Sequence, residues 1–581
     1  MSDGSSEKKA VEMVTITVDG KQIQVPKGTN LIDAAASAGI DIPHYCYHPH
    51  LSIAGNCRMC QVEIQGSPKL GIACNTMAAE GLTVKTHFTS EQVAESQRAT
   101  LEFLLINHPL DCTVCDQAGH CKLQDYYYEY DGKGSRFVEN KVDKVKAEPL
   151  GSEVIYDGER CIMCTRCVRF CDEVTHTSEL GAFNRGDRGI IGVIPGKELE
   201  NPLSGSVVDL CPVGALTHRR WRFNTRIWYT GQENSICTGC STGCNIQAAV
   251  RDDRIVHVKA RLNGEVNQEW MCNEGRYGFD RFQPPIRATE PAMRKGDSLQ
   301  NVGWKEALEQ AKKLSGSAGS SDAAVFLSPF LTLEEIWVAL ELAEKTMGVT
   351  WASGKIAVQI QQRSLTPEES ILVSPDYAPN ARALAVFGLG GDDVSWRSTL
   401  EKRYQELLGA VRRGDAKRIL LVGDFAVREE DADAAFQSAL QSASISVAIS
   451  PRASGGLNGQ IGGGAHEACH VVLPGITVNE KSGLMVNRDG RIQRLRSLLT
   501  APFGSLSDWL ILNRIAAACQ KAVVPVDIID DRGLFREMVK RVPALSGLTL
   551  QRVGDAGIRI SEISGQQGGA SGKESGPAAT A

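Results

Sequence analysis

Apolar and polar residues alternate along Val14-Thr-Ile-Thr-Val18, turn at Asp19-Gly20 and alternate again along Ile23-Gln-Val25. That pattern predicts a β-hairpin with one buried face. Pro26 and Gly28 end it, and Thr29 is placed to cap a short helix carrying Leu31, Ile32 and the alanines to Ala38. Gln61–Ile64 reads as a further strand. From Glu91 to Asn107 the period becomes helical, with Val93, Leu101, Leu104 and Leu105 on one face. Residues 131–150 are charged and lack a period, as a linker does. Asn245–Val250 and Ile255–Lys259 form a second hairpin around Asp252-Asp253. From about residue 286 to 560, short apolar runs alternate with helical stretches. Ala323–Leu327, Ala383–Phe387, Arg418–Val422 and Ser444–Ile449 are predicted buried strands, each followed by Gly or Ser. Thr332 and Glu335 form a capping box before a helix whose face is Leu333, Ile336, Trp337 and Leu340. Strands alternating with helices predict a parallel α/β sheet.

Length changes the picture first. A chain of 581 residues is too long for one core, and roughly three to five domains are expected. Apolar runs such as Trp509–Leu512 fall far short of the roughly 18–20 residues that span a bilayer. The polar first ten residues do not read as a signal peptide or a transit peptide. The net charge of −6 argues against a general nucleic-acid binder. The basic, aromatic stretch Leu216–Tyr229 is short and reads as a domain crossing or interface.

The chemistry lies in the cysteines. Of 18, 15 fall into four ordered groups between Cys46 and Cys272. The first is Cys46-x10-Cys57-x2-Cys60-x13-Cys74, and the second is His108-x3-Cys112-x2-Cys115-x5-Cys121. The third is Cys161-x2-Cys164-x2-Cys167, completed by Cys211 before Pro212. The fourth is Cys237-x2-Cys240-x3-Cys244-x27-Cys272. Clustered C-x2-C pairs indicate metal ligation in a reducing compartment rather than disulfides. Structural zinc is the competing reading. A C-x2-C-x2-C triple suits three corners of an iron–sulfur cubane better than one tetrahedral ion. In the second group three thiolates lack a fourth partner. His108 is the nearest candidate and His120 the competitor; neutral imidazole in place of thiolate should raise the potential. Cys171 stands where a two-cluster ferredoxin has its fourth Cys, but Asp172 replaces the following Pro, so a free thiol is expected. Arg58 lies between ligands, as a donor to sulfur or a solvated side chain.

Strand, hairpin, helix and Cys-rich loop resemble the opening of a plant-type ferredoxin, although ten residues separate Cys46 from Cys57 where that pattern has four. His108-Pro-Leu-Asp-Cys-Thr-Val-Cys-Asp-Gln-Ala-Gly-His-Cys-Lys-Leu-Gln-Asp125 and Cys161-Ile-Met-Cys-Thr-Arg-Cys-Val-Arg-Phe170 resemble motifs of the large iron–sulfur subunit of NADH-quinone oxidoreductase, respiratory complex I. The order of all four groups matches that family over about residues 13–285. Cys237–Cys272 resembles the N-terminal cluster domain of molybdopterin oxidoreductases, and Val471–Pro474 with Asn479–Gln493 resembles the end of their fold. The fold class implied is multidomain α/β and α+β: ferredoxin-like iron–sulfur domains followed by a truncated molybdopterin-oxidoreductase-like α/β domain.

The resemblance implies seven segments. These are a flexible tail (1–12), a plant-type-ferredoxin-like [2Fe–2S] domain (13–90), a [4Fe–4S] domain with one histidine and three cysteine ligands (91–150), a bacterial-ferredoxin-like [4Fe–4S] domain (151–228), a four-cysteine [4Fe–4S] domain (229–285), an α/β domain (286–563) and a disordered tail (564–581). It implies one [2Fe–2S] and three [4Fe–4S] clusters, no molybdenum, and no catalytic residue in this chain. Electrons would come from a flavin subunit oxidising NADH, enter through the first two groups, pass the third and leave to a two-cluster ferredoxin-like subunit near quinone. The fourth group would lie off that path. Expected partners also include a small [2Fe–2S] subunit and the quinone-site subunits, with no nucleic acid and with membrane contact only through partners. The expected location is peripheral, on the cytoplasmic side of the bacterial inner membrane. The alternative is an iron–sulfur subunit of an NAD-linked hydrogenase or formate dehydrogenase. A catalytic subunit would need a molybdenum ligand or further paired cysteines. After Cys272 only Cys469, in His466-Glu-Ala-Cys-His470, and Cys519 remain, and neither is expected to ligate. The glycine-rich runs Gly388–Asp392 and Gly455–Gly464 lack a phosphate-binding pattern and read as loops.

Overall fold

The computed structural model describes residues 12–564 except 285, 361, 392–393, 426–433 and 454–463. Both expected tails and the run Gly455–Gly464 lie almost wholly outside the described residues. The chain divides into two compact units, Met1–Thr230 and Gly231–Ala581.

In the first unit the predicted hairpin forms Met13–Val18 and Lys21–Pro26, paired in register from Met13 opposite Pro26. Thr83–Lys85 adds in parallel, then Gln61–Ile64 and Gly71–Ile72 complete a five-stranded sheet. Val14, Ile16 and Val18 bury their alternating face against Leu31, Ile32 and Ala35, and Cys60 and Cys74 belong to this core. The helix spans Leu31–Ala36, and its cap is Asn30, not Thr29: Asn30 Oδ1 accepts the Asp33 N–H at 3.1 Å. Thr29 Oγ1 instead donates to the Pro26 carbonyl. The helix Glu91–Leu105 starts at Ser90, and Lys141 Nζ satisfies its last carbonyls at Leu105 and Ile106. A second, smaller sheet joins Leu216–His218, Val154–Tyr156 and Glu148–Pro149 beside the helix Arg166–Glu173.

In the second unit, Gly231–Ile236, Asn245–Arg251 and Arg254–Ala260 form an antiparallel sheet. Another sheet runs in the order Ser298–Asn301, Ala292–Lys295, Val471–Pro474, Ile445–Ser450, Arg418–Val422, Ala323–Leu327, Ile356–Val358. The last five strands are parallel, as expected of an α/β fold. Ala383–Phe387 is not one of them. It lies in a buried 3₁₀ turn, Ala381–Phe387, between Asn380 and Gly388, which has φ +70°. A continuous apolar run marks burial but not period, and Ile356–Val358 takes the edge of the sheet instead. The capping box at Thr332 forms as expected, and Glu335 also accepts from Lys481 Nζ at 2.7 Å.

Candidate functional site

The cysteines of each group are drawn together, and in the first and third groups the loops are bent at defined points. Arg58, Met163 and Thr165 have φ of 58°, 54° and 60°, in the left-handed region. The bends turn successive N–H groups toward sulfur. Met163 N donates to Cys161 Sγ at 3.4 Å and Gly239 N to Cys237 Sγ at 3.4 Å. The same step of two residues recurs at Cys57 and Met59, Cys115 and Gln117, Cys121 and Leu123, Cys164 and Arg166, and Cys211 and Val213. Such donors stabilise negative charge on sulfur.

In the first set the sulfurs of Cys57, Cys46, Cys74 and Cys60 lie close enough to act on one another. Hydrogen bonds from Cys57 and Cys74 hold the Cys46 thiol far below its usual range, and Cys74 does the same for Cys60. The donors Cys57 and Cys74 are raised in turn.

In the second set, burial pushes the Cys121 thiol up to about 11 and raises Cys115, while the Arg160 guanidinium draws Cys115 back. Cys112 is exposed. Burial, then Arg160 and Lys141, lower His108 to about 4, so its imidazole is neutral, the state in which it ligates metal. Its Nδ1 is buried without a hydrogen-bond partner. Asp111 holds Arg160 at 3.0 Å and Lys146 at 2.8 Å, and Arg226 Nη1 donates to the Cys115 carbonyl at 2.5 Å. The basic, aromatic stretch therefore packs over this loop.

Cys161, Cys164, Cys167 and Cys211 ring one pocket. Burial raises all four thiols, Cys211 to about 12. Cys171 is buried beside the set but does not line the pocket. Burial, then Glu179, push its thiol up to about 12.

Within the first unit the three sets adjoin one another, with the third between the other two. Arg166 donates to the carbonyls of Leu210 and Tyr47, and Arg169 to those of Cys46 and Cys164. On the other side Cys121 Sγ contacts the Pro212 carbonyl at 3.9 Å, and Gly214 lies against Cys115 Sγ so closely that a Cβ would collide with it.

In the second unit Cys237, Cys240, Cys244 and Cys272 ring a pocket that Leu372 and Val373 also line. Cys272 caps the helix Asn273–Tyr277 and accepts the Gly275 N–H at 3.3 Å. A Cβ at Gly275 would stand 2.9 Å from Cys237 Sγ. Burial pushes Cys237 up to about 11 and raises Cys244 and Cys272.

The donor chemistry fits iron–sulfur clusters. The sets offer soft thiolates, close glycines and N–H···S contacts, and in the third and fourth these surround pockets lined by four sulfurs. Among the described residues no three or more His, Cys, Asp or Glu side chains form a site for one metal ion.

Family models match in the same order. A 2Fe-2S iron-sulfur cluster binding domain covers residues 11–89, and an NADH-ubiquinone oxidoreductase-G iron-sulfur binding region covers 97–136. The ferredoxin-like domain of NADH-quinone oxidoreductase subunit 3 covers 151–217. A molybdopterin oxidoreductase Fe4S4 domain covers 233–283, and a molybdopterin oxidoreductase model covers 404–518. The NADH-quinone oxidoreductase G subunit of Streptomyces coelicolor is 35% identical over 68% of this chain and 47% of its own length. The corresponding G subunit of Rickettsia bellii is 37% identical over 55% and 48%. The mitochondrial NADH-ubiquinone oxidoreductase 78 kDa subunit of Candida albicans is 29% identical over 90% of this chain and 85% of its own. The chain is similar, in sequence and in domain order, to the G subunits of NADH-quinone oxidoreductases. It spans about half the length of the bacterial relatives it matches. The family's fold, ferredoxin-like iron–sulfur domains followed by a molybdopterin-oxidoreductase-type domain, is the one expected from the sequence, and both [2Fe–2S]- and [4Fe–4S]-type domains are present.

Away from the four sets, His470 Nδ1 bonds Ser446 Oγ at 2.7 Å and Cys469 Sγ faces the Ala465 carbonyl, which fixes the His466–His470 turn to a core strand. Cys519 caps the end of the helix Asp508–Ala518. Arg58 is exposed. Among the cations near the sulfurs are Arg160, Arg166 and Arg169 in the first unit and Arg281 and Arg488 in the second. Spacing alone could not mark them, because each lies near its sulfurs through the fold.

Proposed function

We propose that this chain is an electron-transfer subunit of an NADH:quinone oxidoreductase, relaying electrons from an NADH-oxidising flavin module toward quinone. Its ligand sets are Cys46, Cys57, Cys60 and Cys74 for a [2Fe–2S] cluster, and three sets for [4Fe–4S] clusters. Those are His108, Cys112, Cys115 and Cys121; Cys161, Cys164, Cys167 and Cys211; and Cys237, Cys240, Cys244 and Cys272. Bound there, the clusters would supply one-electron carriers of tuned potential. The protein's part is to hold thiolates, donate N–H to sulfur and exclude water.

The observation that carries the reading is the wall shared by the three sets of the first unit. Arg169 joins the carbonyls of Cys46 and Cys164, and Pro212–Gly214 joins Cys211 to Cys115 and Cys121. The third set is central, so the path runs first, third, second rather than in sequence order. The segment boundaries given above are the domains we propose, with support from the matched ranges. The partners are the flavin subunit, a small [2Fe–2S] subunit, a two-cluster ferredoxin-like subunit and the quinone-site subunits. Among the described residues no helix is long and apolar enough to cross a membrane. The place proposed for the chain is peripheral, on the cytoplasmic side of the bacterial inner membrane, with support from the bacterial relatives that act on quinone.

Anaerobic metal analysis of the full chain tests this. One two-iron and three four-iron clusters give about 14 irons per chain, without molybdenum. Stoichiometric zinc in place of iron would overturn the electron-transfer reading, and stoichiometric molybdenum would favour a catalytic dehydrogenase.

A further inference from the structure

Arg166 and Arg169 lie one turn apart on the helix Arg166–Glu173, so both side chains reach the same face. Arg166 is 7% exposed. Its guanidinium bonds the carbonyls of Leu210, next to Cys211, and Tyr47, next to Cys46. Arg169 bonds the carbonyls of Ser52, Cys46 and Cys164. These partners are neutral, and among the described residues no carboxylate pairs with either cation. The Nε–H of each is buried with no acceptor in the protein. Two positive charges and two unused donors therefore stand between the first and third thiol sets. An unmatched buried cation is costly unless negative charge faces it, and the groups that can carry such charge here are the sulfurs of the first and third sets, whose Cys46 and Cys164 carbonyls the pair already holds.

We propose that Arg166 and Arg169 form a cationic bridge shared by the first and third sets, which raises the reduction potentials of both sites together. The inference rests on reading those sets as iron–sulfur sites. Reduction adds negative charge beside the bridge, so the bridge favours the reduced state on both sides. The two arginines are positioning residues for charge and ligate nothing.

The test is an anaerobic redox titration followed by EPR on the full chain, with Arg166→Gln, Arg166→Lys and Arg169→Gln. Iron content of the wild type checks the cluster reading separately. Arg166→Gln should lower both midpoints by at least tenfold in the reduction equilibrium, about 59 mV for one electron. Arg169→Gln should lower both by less, and Arg166→Lys should lie between Arg166→Gln and the wild type. The His108 site, whose own cation is Arg160, should move least. Unchanged potentials, or a shift at one site only, in whichever glutamine variant loads iron would overturn the proposal. So would loss of iron from both glutamine variants, since the arginines would then build the sites rather than tune them.

Discussion

Replacing Lys481 with Met is expected to destabilise the second unit by about 3–5 kcal/mol, the cost of leaving buried charge without its partner. Lys481 Nζ bonds Glu335 Oε2 and Asp508 Oδ2, each at 2.7 Å, and all three side chains are at most 3% exposed. Glu335 lies in the first turn of Leu333–Leu342, and Asp508 is the first residue of Asp508–Ala518. One ammonium thus ties together two helix N-termini, where carboxylates are already favoured. Burial pushes the Asp508 carboxyl up to about 7 even with Lys481 opposing it. Without the ammonium the Asp508 carboxyl rises further above its unfolded value. The penalty then grows as pH rises above about 4, where the unfolded aspartate ionises freely, and shrinks below it. Hydrogen exchange of the Leu333–Leu342 amides in the full chain reads the effect, because global unfolding of a chain with two units is not two-state. Adding Glu335→Gln and Asp508→Asn to Lys481→Met should recover most of the loss. Failure to recover it would show that packing, not charge, holds the lysine in place.

The second large effect is at His108. His108→Ala should remove the EPR signal of the second site while the other three persist, and His120→Ala should leave all four. The three thiols of that set need a fourth donor, and a neutral imidazole can supply it. His108 is held neutral by burial and by Arg160. His108→Cys should keep the site with a lower potential, because a thiolate adds the negative charge that imidazole lacks. Loss of the signal in His120→Ala, with retention in His108→Ala, would reverse the assignment.

Much of the candidate site was legible because its cysteine spacing is local. The spacings of Cys57 and Cys60, Cys112 and Cys115, and Cys161, Cys164 and Cys167 sit within single loops, so the sequence displays them directly. The strand alternation from Val14 to Val25 and the capping box at Thr332 are equally local, and both form as expected. What could not be read depends on the fold. The central position of the third set arises from contacts between residues about ninety or more apart, such as Cys121 with Pro212 and Arg169 with Cys46. Ala383–Phe387 failed as a strand because burial on all sides erases the period that separates strand from helix. Asn30 displaced Thr29 as the cap because the chain enters the helix one residue later. Arg166 carries no sequence signal, since an arginine in a Cys-rich run reads as solvated until its carbonyl partners are known.

The most direct measurement is low-temperature EPR of the anaerobically purified full chain, before and after dithionite. Reduction is expected to produce one slowly relaxing signal of [2Fe–2S] type together with fast-relaxing [4Fe–4S] signals. A chain that carries its metal as zinc and shows no paramagnetic change on reduction would contradict it.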